Sequence, residues 1–295
     1  MDACMLCPRM CGVNREAGEK GYCGMDGKLR AARAALHMWE EPCISGTRGS
    51  GAVFFSGCSL RCVFCQNYEI AEGNCAREIS GERLSEIFLE LQEQGAANIN
   101  LVTAAHFAPA VIGALKKAKA QGMHLPVIYN SSGYERVETV QMLEEVVDVW
   151  LPDFKYMDSK LAFAYSRAKD YPEVARAAIR EMMKAAGTCA YDEDGYIQKG
   201  VIVRHLILPG HTKNSIAVLD ELYGTYGDDL TISLMNQYTP LPQVRNIPDL
   251  NRRVTKREYE KVLDHALDLG ITQGFFQEGG TAKESFIPLF DYEGL

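Results

Sequence analysis

The sequence predicts an α/β fold: a partial (β/α)6 barrel over residues 51–295, preceded by a cysteine-rich extension over residues 1–50. Three features carry that expectation. From Gly51 onward, short apolar runs alternate with longer amphipathic ones, the rhythm of strand–helix–strand units and a parallel sheet. The apolar runs are nearly continuous, as expected of strands buried on both faces. No G-x-G-x-x-G follows the first of them, which disfavours a dinucleotide-binding sheet and leaves the barrel.

In chain order, Lys28–Met38 suits a short helix or a strand pair. Ala52–Ser56 (AVFFS) reads as the first buried strand. Leu84–Gln94 places Leu84, Ile87, Phe88 and Leu91 at helical spacing. Ile99–Thr103 and Pro109–Gln121 form the second strand and helix. Val127–Asn130, Val137–Leu143 and Val147–Phe154 supply a third strand, a third helix and a fourth strand. Pro172–Ala186 is a long helix with Gly187 as its stop. Val201–Leu208, Ile216–Tyr223, Leu230–Met235, Lys256–Leu269 and Gln273–Gln277 complete the alternation. Chemistry in such folds gathers at the C-terminal strand ends.

With 47% hydrophobic and 24% charged residues, the 295-residue chain is globular rather than disordered. A chain this long buries roughly three quarters of its unfolded surface and needs no disulfides. A net charge of −8 disfavours nucleic-acid partners, which require clustered positive charge. No apolar stretch approaches the roughly 20 residues that span a bilayer. Met1-Asp2-Ala3-Cys4-Met5 has no export-signal layout, so a cytoplasmic protein without a membrane partner is expected. Ten cysteines in a reducing compartment point to metal or iron–sulfur ligation.

Directly after AVFFS comes Gly57-Cys58-Ser59-Leu60-Arg61-Cys62-Val63-Phe64-Cys65-Gln66-Asn67, with the spacing C-x3-C-x2-C. Three thiolates on one loop hold three irons of a [4Fe–4S] cluster and leave the fourth open for a ligand. A structural zinc loop that borrows Cys75 is the competing reading.

With Phe64 directly before its third cysteine, this loop resembles the signature of the radical SAM superfamily, most closely the branch of the pyruvate formate-lyase activating enzyme and its uncharacterised relatives. The resemblance runs from about Gly51 to the last strand and implies a TIM-like barrel of the radical SAM type. It also implies an oxidoreductase whose open iron binds the amino and carboxylate groups of S-adenosylmethionine (SAM). One electron then cleaves SAM to methionine and a 5′-deoxyadenosyl radical that abstracts hydrogen. A flavodoxin or ferredoxin as reductant and a glycyl radical enzyme as protein substrate belong to the same expectation. The alternatives are a radical SAM catalyst acting on a small molecule or another protein side chain, and a non-catalytic metal-bearing interaction protein.

The resemblance places further SAM contacts at the later strand ends. Phe64 and Gln66 flank the third cysteine. Relatives end the second strand in a Gly-Gly-Glu segment that receives the SAM amine; here Thr103-Ala104-Ala105-His106 stands there, and backbone carbonyls or His106 are the candidates. Asn130 and Ser131 replace the first residues of an Asp-Thr-Asn-Gly segment, so the cation ligand of relatives is missing. Their residue types also suit a plain turn. Asp153 and Lys155 match an Asp-x-Lys segment. Two residues apart on a strand, they share a face, where Lys155 binds the SAM carboxylate and Asp153 orients it; a simple ion pair is the alternative. Arg204 or His205, then Gln237 or Tyr238, extend the set. Gln277, Glu278, Gly279 and Gly280 are candidates to close the pocket.

A second thiol group, Cys4-x2-Cys7-x3-Cys11-x11-Cys23, supplies a closed four-ligand set for zinc or, preferred here, a second [4Fe–4S] cluster. Cys43, Cys75 and Cys189 are isolated and read as small apolar residues.

Overall fold

The computed structural model describes residues 3–277 and 288–295. In chain order its elements are β1 (Arg30–His37), α1 (Pro42–Ser45), β2 (Ser50–Phe55), α2 (Tyr68–Ala71), β3 (Arg77–Glu78), α3 (Gly81–Glu93), β4 (Ile99–Val102) and α4 (Ala108–Ala120). Then come β5 (Val127–Ser131), α5 (Val137–Leu143), β6 (Val149–Pro152), α6 (Ser159–Ser166), α7 (Tyr171–Ala186) and β7 (Ala190–Tyr191). The chain continues with β8 (Ile197–Leu206), α8 (Thr212–Tyr226), β9 (Thr231–Met235), α9 (Lys256–Asp268) and β10 (Gly274–Phe276).

The expected alternation is present. Strands β2, β4, β5, β6, β8, β9 and β10 pair in that order, all parallel, which makes a (β/α) barrel wall left open between β10 and the first strands. The segment Lys28–Met38 resolves into one strand, β1, antiparallel to β2 from Ala31↔Phe55 to His37↔Ser50. The sheet therefore continues across residue 50. Five elements, α1, α2, β3, α6 and β7, carry no long apolar period and escape the sequence reading. Helix α6 starts on a side-chain cap, Asp158 accepting from the backbone of Lys160 and Leu161.

Inward positions stack in layers. Ile128, Val149, Leu151 and Ile202 meet Cys43 and Ile44 of α1, so a piece of the N-terminal segment plugs the barrel interior. Outward positions pack against the helices in one large cluster that includes Phe55, Leu101, Tyr129, Trp150 and Val203. Residues 288–295 lie over β1, with Ala34 donating to the Glu293 carbonyl at 2.9 Å and Arg33 paired with Asp291 at 2.7 Å. Among the described residues, no helix is long and apolar enough to cross a membrane.

Candidate active site

A cleft of about 210 Å³ lies at the C-terminal ends of the parallel strands. Its wall includes Cys62, Phe64, Cys65 and Gln66 from the loop after β2, Asn130 from β5 and Asp153 and Lys155 after β6. Arg204 and Leu206 of β8, and Met235 and Gln237 at the end of β9, complete it. His37, Trp39 and Glu40 join from the N-terminal segment.

The cysteine loop turns sharply after β2 because Gly57 takes φ +90°, and a Cβ there would collide with the Cys23 carbonyl and Met25. Arg61, between the first two cysteines, is also left-handed at φ +52°. The loop is pinned by Val63 donating to the Tyr165 carbonyl at 2.8 Å. Phe64 packs edge-on against Tyr165 and Tyr238, with ring centroids 6.5 and 6.3 Å away. Burial pushes the Cys62 and Cys65 thiols up, and the neighbouring Cys58 adds to the shift. Lys155 pulls both back toward the thiolate. Among the described residues, all ten cysteines are unbridged, and no three His, Cys, Asp or Glu side chains converge on one metal-sized point. A [4Fe–4S] cluster takes one thiolate per iron, so its ligands need not converge. Three thiols on one loop, two of them facing an open cleft with a cation alongside, fit that group.

The cleft floor is a chain of charges. Lys155 Nζ lies 2.5 Å from Asp153 Oδ2, and Arg204 Nε lies 3.0 Å from Asp153 Oδ1. Arg204 also donates to Glu40 Oε2 at 3.0 Å and to Asn130 Oδ1 at 2.6 Å. Asn100 and Asn130 each donate an amide hydrogen to Glu40 Oε1, at 3.2 and 3.3 Å. Burial alone would raise Asp153, but Lys155 and Arg204 outweigh it and hold the carboxyl below its usual range. Burial alone would likewise lower Lys155, yet Asp153 keeps it above its ordinary value. Glu41, buried beside Arg204, is pushed up by burial, and its Oε2 has no partner, which favours the neutral acid.

The pattern of inward and outward positions sorts the candidates. Asn130, Asp153, Lys155, Arg204, Gln237, Phe64 and Gln66 line the cleft together with Cys62 and Cys65. Five candidate contacts, His205 among them, do not line it, nor does the Cys58 thiol. His106 is buried with Nε2 2.7 Å from the Ser56 carbonyl; a carbonyl only accepts, so this nitrogen carries the hydrogen and braces the strand behind the loop. Ser131 accepts from the Gly133 amide at 3.2 Å, as a turn residue does. Tyr238 donates to the Leu250 carbonyl at 2.7 Å. Gln277 lies behind the wall, accepting from the Asn236 amide at 3.0 Å, and Glu278, Gly279 and Gly280 lie outside the described residues. Sequence reasoning missed Glu40. It belongs to no motif, and only the strand pairing of β1 brings its segment inside the barrel.

The N-terminal thiols form a self-contained loop, with Cys4 donating to the Val13 carbonyl at 3.0 Å and Gly12 to the Cys4 carbonyl at 3.1 Å. Cys4, Cys7 and Cys23 are buried and Cys11 is exposed. Burial pushes Cys7 up to about 12, and Glu135, Cys23 and Cys4 add to the rise.

The parallel wall, the three-cysteine loop at its first strand and the charged cleft define a class, and the family comparison agrees with it. The chain belongs to the radical SAM superfamily, whose model matches residues 52–222. SAM and a [4Fe–4S] cluster are the cofactors of that superfamily, and its members are enzymes. An uncharacterised protein of Methanocaldococcus jannaschii is 29% identical over 270 residues, or 89% of this chain and 74% of that protein. Among solved structures, Streptococcus suis SuiB bound to S-adenosylmethionine is similar at 13% identity and TM-score 0.49, over 75% of this chain and 48% of SuiB. A domain of pyruvate-formate lyase-activating enzyme from Bacteroides vulgatus is similar at 17% identity and TM-score 0.41, over 58% of this chain and 92% of that one. The match thus spans about half the length of SuiB.

Proposed function

We propose that Cys58, Cys62 and Cys65 each hold one iron of a [4Fe–4S] cluster and leave the fourth open to the amino and carboxylate groups of SAM. One observation carries this reading: two of those thiols and the Lys155–Asp153–Arg204–Glu40 chain line one cleft at the strand ends. Bound and reduced, the cluster supplies the electron that splits SAM into methionine and a 5′-deoxyadenosyl radical for hydrogen abstraction.

The chain's own residues then bind and orient. Lys155, oriented by Asp153, turns a second N–H to the SAM carboxylate, a charge-assisted contact. Asp153 keeps Lys155 charged, and Arg204, fixed by Glu40 and Asp153, holds the floor rigid. Asn130 and Gln237 offer polar contacts to the nucleoside, and Phe64 and Gln66 wall it off from solvent. Cys4, Cys7, Cys11 and Cys23 hold a second metal centre, a cluster in preference to zinc. Ten unbridged thiols suit a reducing, cytoplasmic setting.

The finer reading is an activase that abstracts hydrogen from a glycine of a partner enzyme, with flavodoxin or ferredoxin as reductant. Its support is the loop's resemblance to activating enzymes. The test is anaerobic reconstitution, reduction and assay of 5′-deoxyadenosine. Formation stimulated by a glycyl radical enzyme supports the activase, whereas stimulation by a small metabolite instead replaces it. SAM left intact in every mixture overturns the catalytic reading.

A further inference from the structure

Helix α6 ends at Ser166, followed by Arg167 in the left-handed conformation at φ +54°. The last carbonyls of a helix lack intrahelical donors, and here the donor comes from far away in sequence. Arg9 Nη2 donates to the Ser166 carbonyl at 3.0 Å and Nη1 to the Arg167 carbonyl at 2.5 Å. The third arm, Nε, donates to the Ser59 carbonyl at 2.8 Å. Arg9 lies between Cys7 and Cys11, and Ser59 between Cys58 and Cys62. One guanidinium, stacked 4.1 Å over the Tyr22 ring, therefore ties both cysteine loops to the end of α6.

The residue under that clamp touches the catalytic loop. Ser166 Oγ lies 2.9 Å from Cys62 Sγ and 2.8 Å from the Tyr156 hydroxyl. Both Ser166 and Tyr156 are fully buried, so neither hydroxyl exchanges partners with water. With Tyr156 donating to Ser166, the serine's single hydrogen is left for the sulfur.

We propose that Ser166 is a positioning residue for the cluster, its hydroxyl oriented by Tyr156, clamped from the N-terminal cysteine loop by Arg9 and donating to the Cys62 sulfur to raise the cluster's reduction potential. The inference rests on Cys62 being a cluster ligand. A donor to a ligating sulfur stabilises the reduced, more negative state, and hydrogen bonds to the sulfurs are among the factors that set such potentials. The clamp makes the order of the N-terminal loop a condition for that bond.

The test is potentiometric EPR titration of the full chain, reconstituted anaerobically. Ser166→Ala keeps its iron and titrates at a more negative potential than wild type. Tyr156→Phe shifts the same way by less, and decides the matter if Ser166→Ala fails to fold. In the reconstituted protein, Arg9→Ala speeds amide exchange across residues 57–66, and unchanged exchange there removes the clamp from the account. Unchanged potentials in both hydroxyl variants overturn the inference and leave the cluster assignment standing. A Cys58, Cys62 and Cys65→Ala variant whose EPR spectrum SAM still perturbs as it does in wild type overturns both.

Discussion

The loop carrying Cys58, Cys62 and Cys65 follows a parallel strand and opens on a cleft, whereas the segment carrying Cys4, Cys7, Cys11 and Cys23 follows no strand and is docked on the barrel's outside. The first places its thiols beside Lys155 and a floor of paired charges. The second surrounds its buried thiols with its own backbone and with α5, where Thr139 donates to the Leu6 carbonyl at 2.8 Å and Arg136 to the Met5 carbonyl at 2.7 Å. Similar cysteine spacings thus sit in opposite surroundings. A thiol group facing a polar cleft can present an open metal position to a ligand; one enclosed by backbone closes its metal and orders the chain.

The largest effect expected from this contrast is on the N-terminal side. Replacing Cys4, Cys7 and Cys23 by Ser should remove one metal centre and lower the thermal midpoint sharply, because metal binding there is folding free energy. Elemental analysis of wild type identifies the metal: about eight irons per chain for two clusters, or about four with one zinc. About four irons without zinc, together with N-terminal thiols that alkylate freely, would erase the contrast.

Next comes Arg204→Ala, which leaves Glu40 in the barrel without its cation and Asp153 with Lys155 alone. Breaking such a buried pair costs about 3–5 kcal/mol, to be read from denaturant unfolding. A loss below 1 kcal/mol would show that the floor is not held by this residue. Lys155→Ala acts on the ligand instead. Loss of one charge-assisted bond should weaken SAM binding by roughly 10- to 150-fold with iron content unchanged, measured by calorimetry on the reconstituted protein.

The smallest effect concerns pH. Burial pushes His106 and His205 down to about 4, so the folded state holds both neutral. Their contribution is present above the unfolded value near 6.5 and is lost as pH falls toward 4. At pH 5 each costs about 2 kcal/mol of stability relative to pH 7. His106→Asn should flatten that part of the urea midpoint profile; an unaltered slope would place the proton elsewhere.

The strand–helix alternation and the position of the cysteine loop were legible in the sequence because apolar runs and cysteine spacing are local patterns. Facing was legible too: Arg204 and Leu206 share the cleft side as period two demands, and Asp153 and Lys155 share it although Lys155 lies past the end of β6. Glu40 was not legible, because its place depends on β1 turning antiparallel to β2 and carrying the following segment into the barrel. His106 shows the converse. Its position beside the second strand's end marked it as a ligand contact, but the turn after β4, with Thr103 at φ +61°, aims it at the Ser56 carbonyl instead.

The central claim is that Cys58, Cys62 and Cys65 hold a cluster with an iron open to SAM. EPR of the reduced, anaerobically reconstituted protein before and after adding SAM tests it most directly. Wild type should show broad visible absorption and a spectrum that SAM perturbs, while the Cys58, Cys62 and Cys65→Ala variant should lose the SAM response even if its N-terminal centre remains. A triple variant that answers SAM as wild type does would contradict the account.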